Sequence, residues 1–574
     1  MPIHRLALLG ILPLALTACQ LLPPREVTPE AAPTPPRLPF DEPAPVETEL
    51  DADLVYSYLV AEVAAQRGEL QLAFRHYLHA AIVAGNAYAA ERATRIAVYL
   101  QDLEGAQRAA RRWVALAPNG QDARMSLALL LDRSGDRSGA LAELEALLRI
   151  SAALGQDGFV QIAQVLGKER GGDALGLMQA LTAAHPEDSH AQYGLAMVAL
   201  GSQSLAQAEQ ALIAALARQP DWAEAEVLLA RVRIGRGDKP AALAGLSKAL
   251  LAQPRSLPLR TTRARLLVDM SDHEGALRDF RRLREQEPAN PEYLYAVGML
   301  AMHGEHWGEA REVWQQLRSQ GGDHLAEASY FLAQVEEMAG KPELAAGLYA
   351  SVGSGPLRAD AGLRLAALEA EQGRLAQARQ RLQQLRQQVP DRAVDAYMTE
   401  ARLLRRAGEM AQASELLGQA VAAQPDNMDL RYGRAMHAAR ADDLATLELD
   451  LNYILARDPD HVDALNALGY TLADRTRRLS EASRYIRRAY ELEPTNPAIL
   501  DSMGWVHYRL GDYDLAIKYL RQALGDLNDP EIAAHLGEVL WVTGDRAGAR
   551  AVWQKALTAT PDSKELREVM ERLE

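Results

Sequence analysis

Cysteine is almost missing from this chain: among 574 residues there is one, Cys19. That excludes an intramolecular disulfide framework and a multi-cysteine zinc site. Long apolar runs are missing too. The run from Leu6 to Leu16 covers 11 residues, against the roughly 20 that a membrane-spanning helix needs. Positive charge is in deficit, with 62 Lys and Arg against 77 Asp and Glu and a net charge of -15, which argues against a nucleic-acid ligand. Aromatic side chains make up 5% of the chain, so any cluster of them is informative. The signatures of chemistry are absent as well: there is no nucleophile-elbow serine, serine–lysine pair, zinc-binding histidine pair flanking a glutamate, or phosphate loop. His303 and His306 are three residues apart, but they flank Gly304 in a turn and lack a third ligand nearby. No catalytic residue, metal or cofactor is expected, and function falls to the surface.

What the chain has is a period. Alanines recur at Ala73, Ala106, Ala140, Ala174, Ala208, Ala242, Ala276, Ala310, Ala345, Ala378, Ala413, Ala445, Ala482, Ala516 and Ala549, and the commonest step, as from Ala208 to Ala242, is 34 residues. A proline follows many of them by 12 residues, as at Pro220, Pro254 and Pro561. Each unit therefore reads as helix, short turn, helix and proline-marked turn. The alanine sits early in the second helix, where close approach to the first leaves no room for a larger side chain. Another small residue lies 12 positions upstream in many units, as at Ala196, Ala230, Gly433, Gly504 and Gly537, so small faces small across each hairpin. Between them, Gly135-Asp136, Gly237-Asp238, Gly511-Asp512 and Gly544-Asp545 supply a left-handed helix stop and a cap for the next helix. The unit resembles the tetratricopeptide (TPR) repeat, which implies an all-α solenoid of helical hairpins wound into a right-handed superhelix. The period is disturbed at Ser151 to Gly172, Gly321-Gly322, Ser351 to Pro356 and around Ala445.

The N-terminus follows another grammar. Residues 1–18 read as a lipoprotein signal peptide, with His4 and Arg5 before the apolar run and Leu16-Thr17-Ala18-Cys19 as the lipobox. In lipoproteins with this box the cysteine is acylated and becomes the first residue; two or three acyl chains give stable membrane attachment. Gln20 stands where an aspartate would favour inner-membrane retention, so the expectation is a lipid-anchored protein of the outer membrane facing the periplasm. Residues 19–51 form an acidic tether with nine prolines between Pro23 and Pro45. At roughly 3.1 Å per residue, proline-rich chain of some 30 residues reaches about 100 Å. Residues 52–200 read as degenerate N-terminal TPR-like repeats and 201–574 as a regular array.

In TPR arrays the positions one and four residues after the small residue of each first helix line the concave groove. In the last units they carry Tyr470, Trp505, Tyr508 and Trp541, which serve either as partner anchors or as filling between neighbouring repeats. Upstream the same face carries Arg402, Arg405 and Arg434 with Arg406 close by, a local reversal of sign suited to an acidic segment or a chain-terminal carboxylate unless local acids such as Glu409 pair with it. Met299 and Met302 offer an adaptable apolar spot.

The strings Asn466 to Asp474 (NALGYTLAD) and Pro497 to Val506 (PAILDSMGWV), followed by Tyr508-Arg509-Leu510-Gly511, resemble a group of large Gram-negative TPR outer-membrane lipoproteins. That resemblance implies a non-enzymatic adaptor. It would bind a periplasmic carboxyl-terminal processing protease, promote its activity and bring in cell-wall hydrolases that cut peptidoglycan cross-links. The competing readings are a scaffold for exopolysaccharide or pilus and secretion assemblies, and a hydrolase with an unrecognised site.

Overall fold

A computed structural model of the chain describes residues 52–169, 172–525 and 529–573. The signal sequence, Cys19 and the whole acidic tether lie outside the described residues. Those residues form 31 α-helices and two 3₁₀ turns, from Ala52–Gln66 to Lys564–Leu573, and no strand among them. No described helix is long and apolar enough to cross a membrane. The chain divides into two compact units, one ending at Val313 and the other beginning at Trp314, and within each the helices pair as antiparallel hairpins packed one on the next.

In the first unit, buried alanines and leucines from Ala61 to Val198 make one continuous core, followed by smaller clusters under the later hairpins. Helix Arg137–Ala153 is longer than its neighbours at 17 residues, and the following helix, Gly158–Leu166, has only 9. The irregular stretch beginning at Ser151 is thus a change of helix length. At Gly321 and Gly322 both residues have positive φ and lead into the 3₁₀ turn Gly322–His324, so the glycine pair is a bend. The second unit repeats the hairpin down to Arg546–Ala559, and its last helix, Lys564–Leu573, covers Pro530–Val542 with Leu566 buried beneath it.

The local rules behave as expected at most hairpins. Gly135, Gly237, Gly511 and Gly544 have φ of 85°, 84°, 85° and 94°. The aspartate after each accepts a hydrogen bond from a backbone N–H in the first turn of the next helix, Asp136 from Gly139, Asp238 from Ala241, Asp512 from Leu515 and Asp545 from Gly548. Ala516 and Ala549, four residues beyond their caps, are fully buried. A Cβ at Gly504 would lie 2.5 Å from Leu520 Cγ, and one at Gly537 would overlap the Trp553 indole, so neither position admits a larger residue without movement.

Two alanines are out of register. Ala445 lies two residues after its cap Asp443 and is exposed; the fully buried position four residues after that cap is Leu447. Ala174 directly follows its cap Asp173, and the fully buried residue four beyond the cap is Leu177. Both hairpins put leucine in the close-approach position, and a nearby alanine mimicked the period. The helix Leu444–Arg457 is otherwise regular.

Candidate partner-binding face

Three hairpins near the C-terminus bring most of the expected aromatics together. Tyr470 belongs to helix Val462–Arg475, Trp505 and Tyr508 to Pro497–Leu510, and Trp541 to Pro530–Val542. These are the first helices of successive units, and their small residues let them stand close to their partners. Trp505 is 7% exposed. Its Nε1 donates to Asp474 Oδ1 at 3.2 Å, and its ring stacks on His535 at 4.2 Å and lies 5.1 Å from the Tyr508 ring. His535 Nδ1 lies 2.9 Å from Asp501 Oδ1, and its Nε2 is 3.3 Å from the Tyr470 hydroxyl. Tyr508 donates to Glu538 Oε1 at 3.1 Å, and Arg572 from the last helix closes on the other oxygen of that carboxylate. Tyr470, Trp505 and Tyr508 therefore belong to one network of rings and acids joining three units. Trp541 stands apart: it stacks on the fully buried Trp553 at 5.7 Å, with the guanidinium carbons of Arg546 and Arg550 5.0 and 5.1 Å from its ring.

The electrostatics of this network are set by burial. Burial alone would push the His535 imidazole down, but the facing Asp501 carboxylate, with Glu531 and Glu538 beyond it, outweighs that and raises its pKa above the usual 6.5. Burial also raises the Glu531 carboxyl, with Asp501 adding to the effect. Tyr470 and Tyr508 are raised as well, mainly by burial, the latter to about 12. His535 and Asp501 were not singled out by sequence reasoning. Asp501 lies inside one of the group-specific strings, whereas His535 occupies a core-facing position like any other and carries no local signal.

The arginines separate into two kinds. Arg434 donates twice to Asp450, Nε to Oδ2 at 2.6 Å and Nη2 to Oδ1 at 2.7 Å, and Arg431 joins the same fully buried carboxylate at 2.8 Å. The arrangement recurs around Asp279, which receives Arg260 and Arg263 at the same separations of 19 and 16 residues. Each clip also ties its first arginine back to the proline turn, Arg431 to the Pro425 carbonyl and Arg260 to that of Pro254. Arg434 thus holds its own hairpin together. Arg402 and Arg405 are different: among the described residues neither has a carboxylate within 4.0 Å, and the only hydrogen-bond partner of Arg402 is Thr399 Oγ1 at 3.5 Å.

Elsewhere the expected spots are occupied by packing. Met299 and Met302 are buried. His303 packs edge-on against His273 at 4.2 Å, and His306 Nε2 lies 3.2 Å from Glu274 Oε1. Among the described residues no three His, Cys, Asp or Glu side chains are disposed to hold a metal ion.

The tetratricopeptide-repeat profile matches residues 166–221, 261–324, 398–446, 450–497 and 502–564, and a second profile of the same repeat matches 360–392. The TPR repeat-containing protein PA4667 of Pseudomonas aeruginosa is 45% identical over 190 residues, which are 33% of this chain and 32% of that protein. The chain thus spans about a third of the length of this curated relative. Solved structures to which the chain is similar include a thermophilic TPR protein of Thermus thermophilus, 24% identical, covering 30% of this chain and 95% of its own with a TM-score of 0.28. The Cut9-Hcn1 hetero-tetramer of the APC/C is 15% identical and covers 91% of this chain and 96% of its own, with a TM-score of 0.32.

Proposed function

We propose that this chain, which belongs to the tetratricopeptide-repeat proteins, is a protease adaptor built on a protein-interaction scaffold. In this reading it has no chemistry of its own. It is acylated at Cys19, anchored to the outer membrane and faces the periplasm. It holds a carboxyl-terminal processing protease, promotes its activity and delivers peptidoglycan cross-link endopeptidases to it, as its resemblance to LbcA, the lipoprotein partner of the protease CtpA, implies. The observation that carries the reading is where the group-specific strings fall. Asn466 to Asp474 supplies Tyr470 and Asp474, Pro497 to Val506 supplies Asp501 and Trp505, and the four side chains belong to one aromatic and acidic network. Trp505 and Asp501 are buried, so the network fixes how three first helices stand together, and a resemblance concentrated there fits a shared arrangement of the face those helices form. An array long enough to engage protease and substrate together raises their effective concentration, which strengthens engagement by about 100-fold or more without new contacts.

The test is affinity capture from detergent-solubilised envelopes with the acylated protein as bait, read by mass spectrometry, beside a Trp541→Ala variant whose melting is checked first. Recovery of a periplasmic carboxyl-terminal processing protease together with wall endopeptidases supports the adaptor. Recovery of secretion-channel or polysaccharide-export components in their place overturns it.

A further inference from the structure

The first and last helices of the described chain are finished differently. The last helix, Lys564–Leu573, buries Leu566 and exposes Lys564, Glu565, Arg567, Glu568, Glu571 and Arg572, so that end closes on a charged surface. The first helix, Ala52–Gln66, does the opposite. It buries Ser57, Ala61 and Ala64 and packs on helix Leu70–Val83, while Tyr56, Leu59 and Val63 stand 64%, 58% and 44% exposed with Val55 beside them. Ten of the 22 large apolar side chains exposed among the described residues lie between Val55 and Tyr99. A repeat array needs a polar outer face on its terminal unit, and a helix that is apolar on all sides is one that other elements cover.

The spacing of the exposed side chains fits one kind of cover. Tyr56, Leu59 and Val63 fall three and four residues apart and Gln66 continues the step by three, which is the seam of a two-helix coiled coil. Such a seam takes another helix of the same spacing. Tyr56 is already placed for it, since His76 of the neighbouring helix packs edge-on against its ring at 6.1 Å. Charge then selects the helix and its direction. From Asp41 to Gln66 the sequence has acids and no base, with Glu49, Asp51 and Asp53 around the start of the helix. Arg67 follows its end, and among the described residues no carboxylate lies within 4.0 Å of that guanidinium. Two such helices side by side in parallel would set acid against acid. Antiparallel, each acidic entry meets the other's arginine.

We infer that Ala52–Gln66 is a homodimerisation helix, covered by the same helix of a second copy packed antiparallel about a two-fold axis. Leu59 then lies against Val63 of the second copy, and by symmetry Val63 lies against its Leu59. Tyr56 stands toward the end of the seam, and the exposed Leu72 of the neighbouring helix widens the apolar contact. An anionic membrane surface is disfavoured as the cover, because acids around the start of the helix would be repelled by its headgroups. The inference goes beyond the adaptor reading and neither needs nor excludes a protease.

The experiment is sedimentation equilibrium of the full chain carrying Cys19→Ser, which leaves it without a thiol, followed by cysteine cross-linking. The expected mass at about 50 µM is that of two chains. A Leu59→Glu, Val63→Glu double variant weakens dimerisation by about 100-fold or more. Its circular-dichroism melt at low concentration stays that of the parent, because both side chains are exposed in the single chain. Direction is read by adding Leu59→Cys or Val63→Cys to the thiol-free chain and oxidising each alone and the two mixed. A disulfide needs Cα atoms within about 7 Å, so the antiparallel seam predicts that the mixture links faster than either variant by itself. A monomer at about 50 µM, a dimer that survives the two glutamates, or faster linking of each variant to itself would overturn the inference. In the monomer, slow maleimide labelling of the Leu59→Cys thiol would assign the cover to the preceding residues of the same chain, and rapid labelling would leave the face to a different protein. None of these outcomes bears on protease capture, so the dimer and the adaptor reading fail separately.

Discussion

Arg402 and Arg434 occupy equivalent places, each one residue beyond the small residue of its helix, yet they do opposite work. Arg434 and Arg431 share the fully buried Asp450, so removing one guanidinium leaves a buried carboxylate half-neutralised. Arg434→Gln is expected to lower stability by about 3 kcal/mol, as the loss of one partner from a buried ion pair does. Arg402→Gln should cost nothing measurable or stabilise slightly by relieving repulsion. Urea denaturation of the two variants checks this, and equal losses would contradict the division of roles. Residue-scale reasoning also covers His535. Its pKa is raised above 6.5, so the pairing with Asp501 stabilises fully below that value and its contribution is lost as pH rises through the folded pKa. The C-terminal hairpins should therefore melt at a lower temperature at pH 9 than at pH 6 by tryptophan fluorescence. Asp501→Asn should flatten that difference.

At the scale of the element, the close-approach position decides whether a hairpin forms. Leu447 fills it in helix Leu444–Arg457, where Ala445 had kept the period only by coincidence. Leu447→Ala is expected to cost about 2–5 kcal/mol by opening a cavity, and Ala445→Leu, on the exposed side, to be neutral within about 0.5 kcal/mol. Circular-dichroism melting of the pair tests the register directly, and the reverse ranking would contradict it. This hairpin shows what was legible and why. Repeat length, turn glycines and capping aspartates act over a few residues, so Gly511-Asp512 and Gly544-Asp545 could be read from order alone. The hydrogen-bond partners of Arg434, Trp505 and His535 lie 16 to 65 residues away in sequence, and no local pattern says which acid or ring will face which. The aromatic face was therefore legible as a face, while its acids and its histidine were not. The repeated clip at Asp279 and Asp450 does have a sequence signature, two arginines three residues apart followed by an aspartate 16 residues after the second.

At the scale of the whole molecule, the second unit carries Arg402 and Arg405 with no carboxylate within 4.0 Å among the described residues, while the acid-lined aromatic network around Trp505 is buried and joins the C-terminal hairpins. The hairpins themselves hold by packing and buried ion pairs with no disulfide among the described residues, and an array of nearest-neighbour contacts of this kind is suited to presenting surface. The central claim is that this surface serves proteolysis by another protein. The direct measurement is cleavage of a purified peptidoglycan endopeptidase by a purified periplasmic carboxyl-terminal processing protease, with and without the mature chain. The account predicts that the chain alone cleaves nothing, that the protease alone is slow, and that adding the chain accelerates cleavage by about 10-fold or more through effective concentration. Cleavage by the chain alone, or a rate that the chain leaves unchanged, would contradict it.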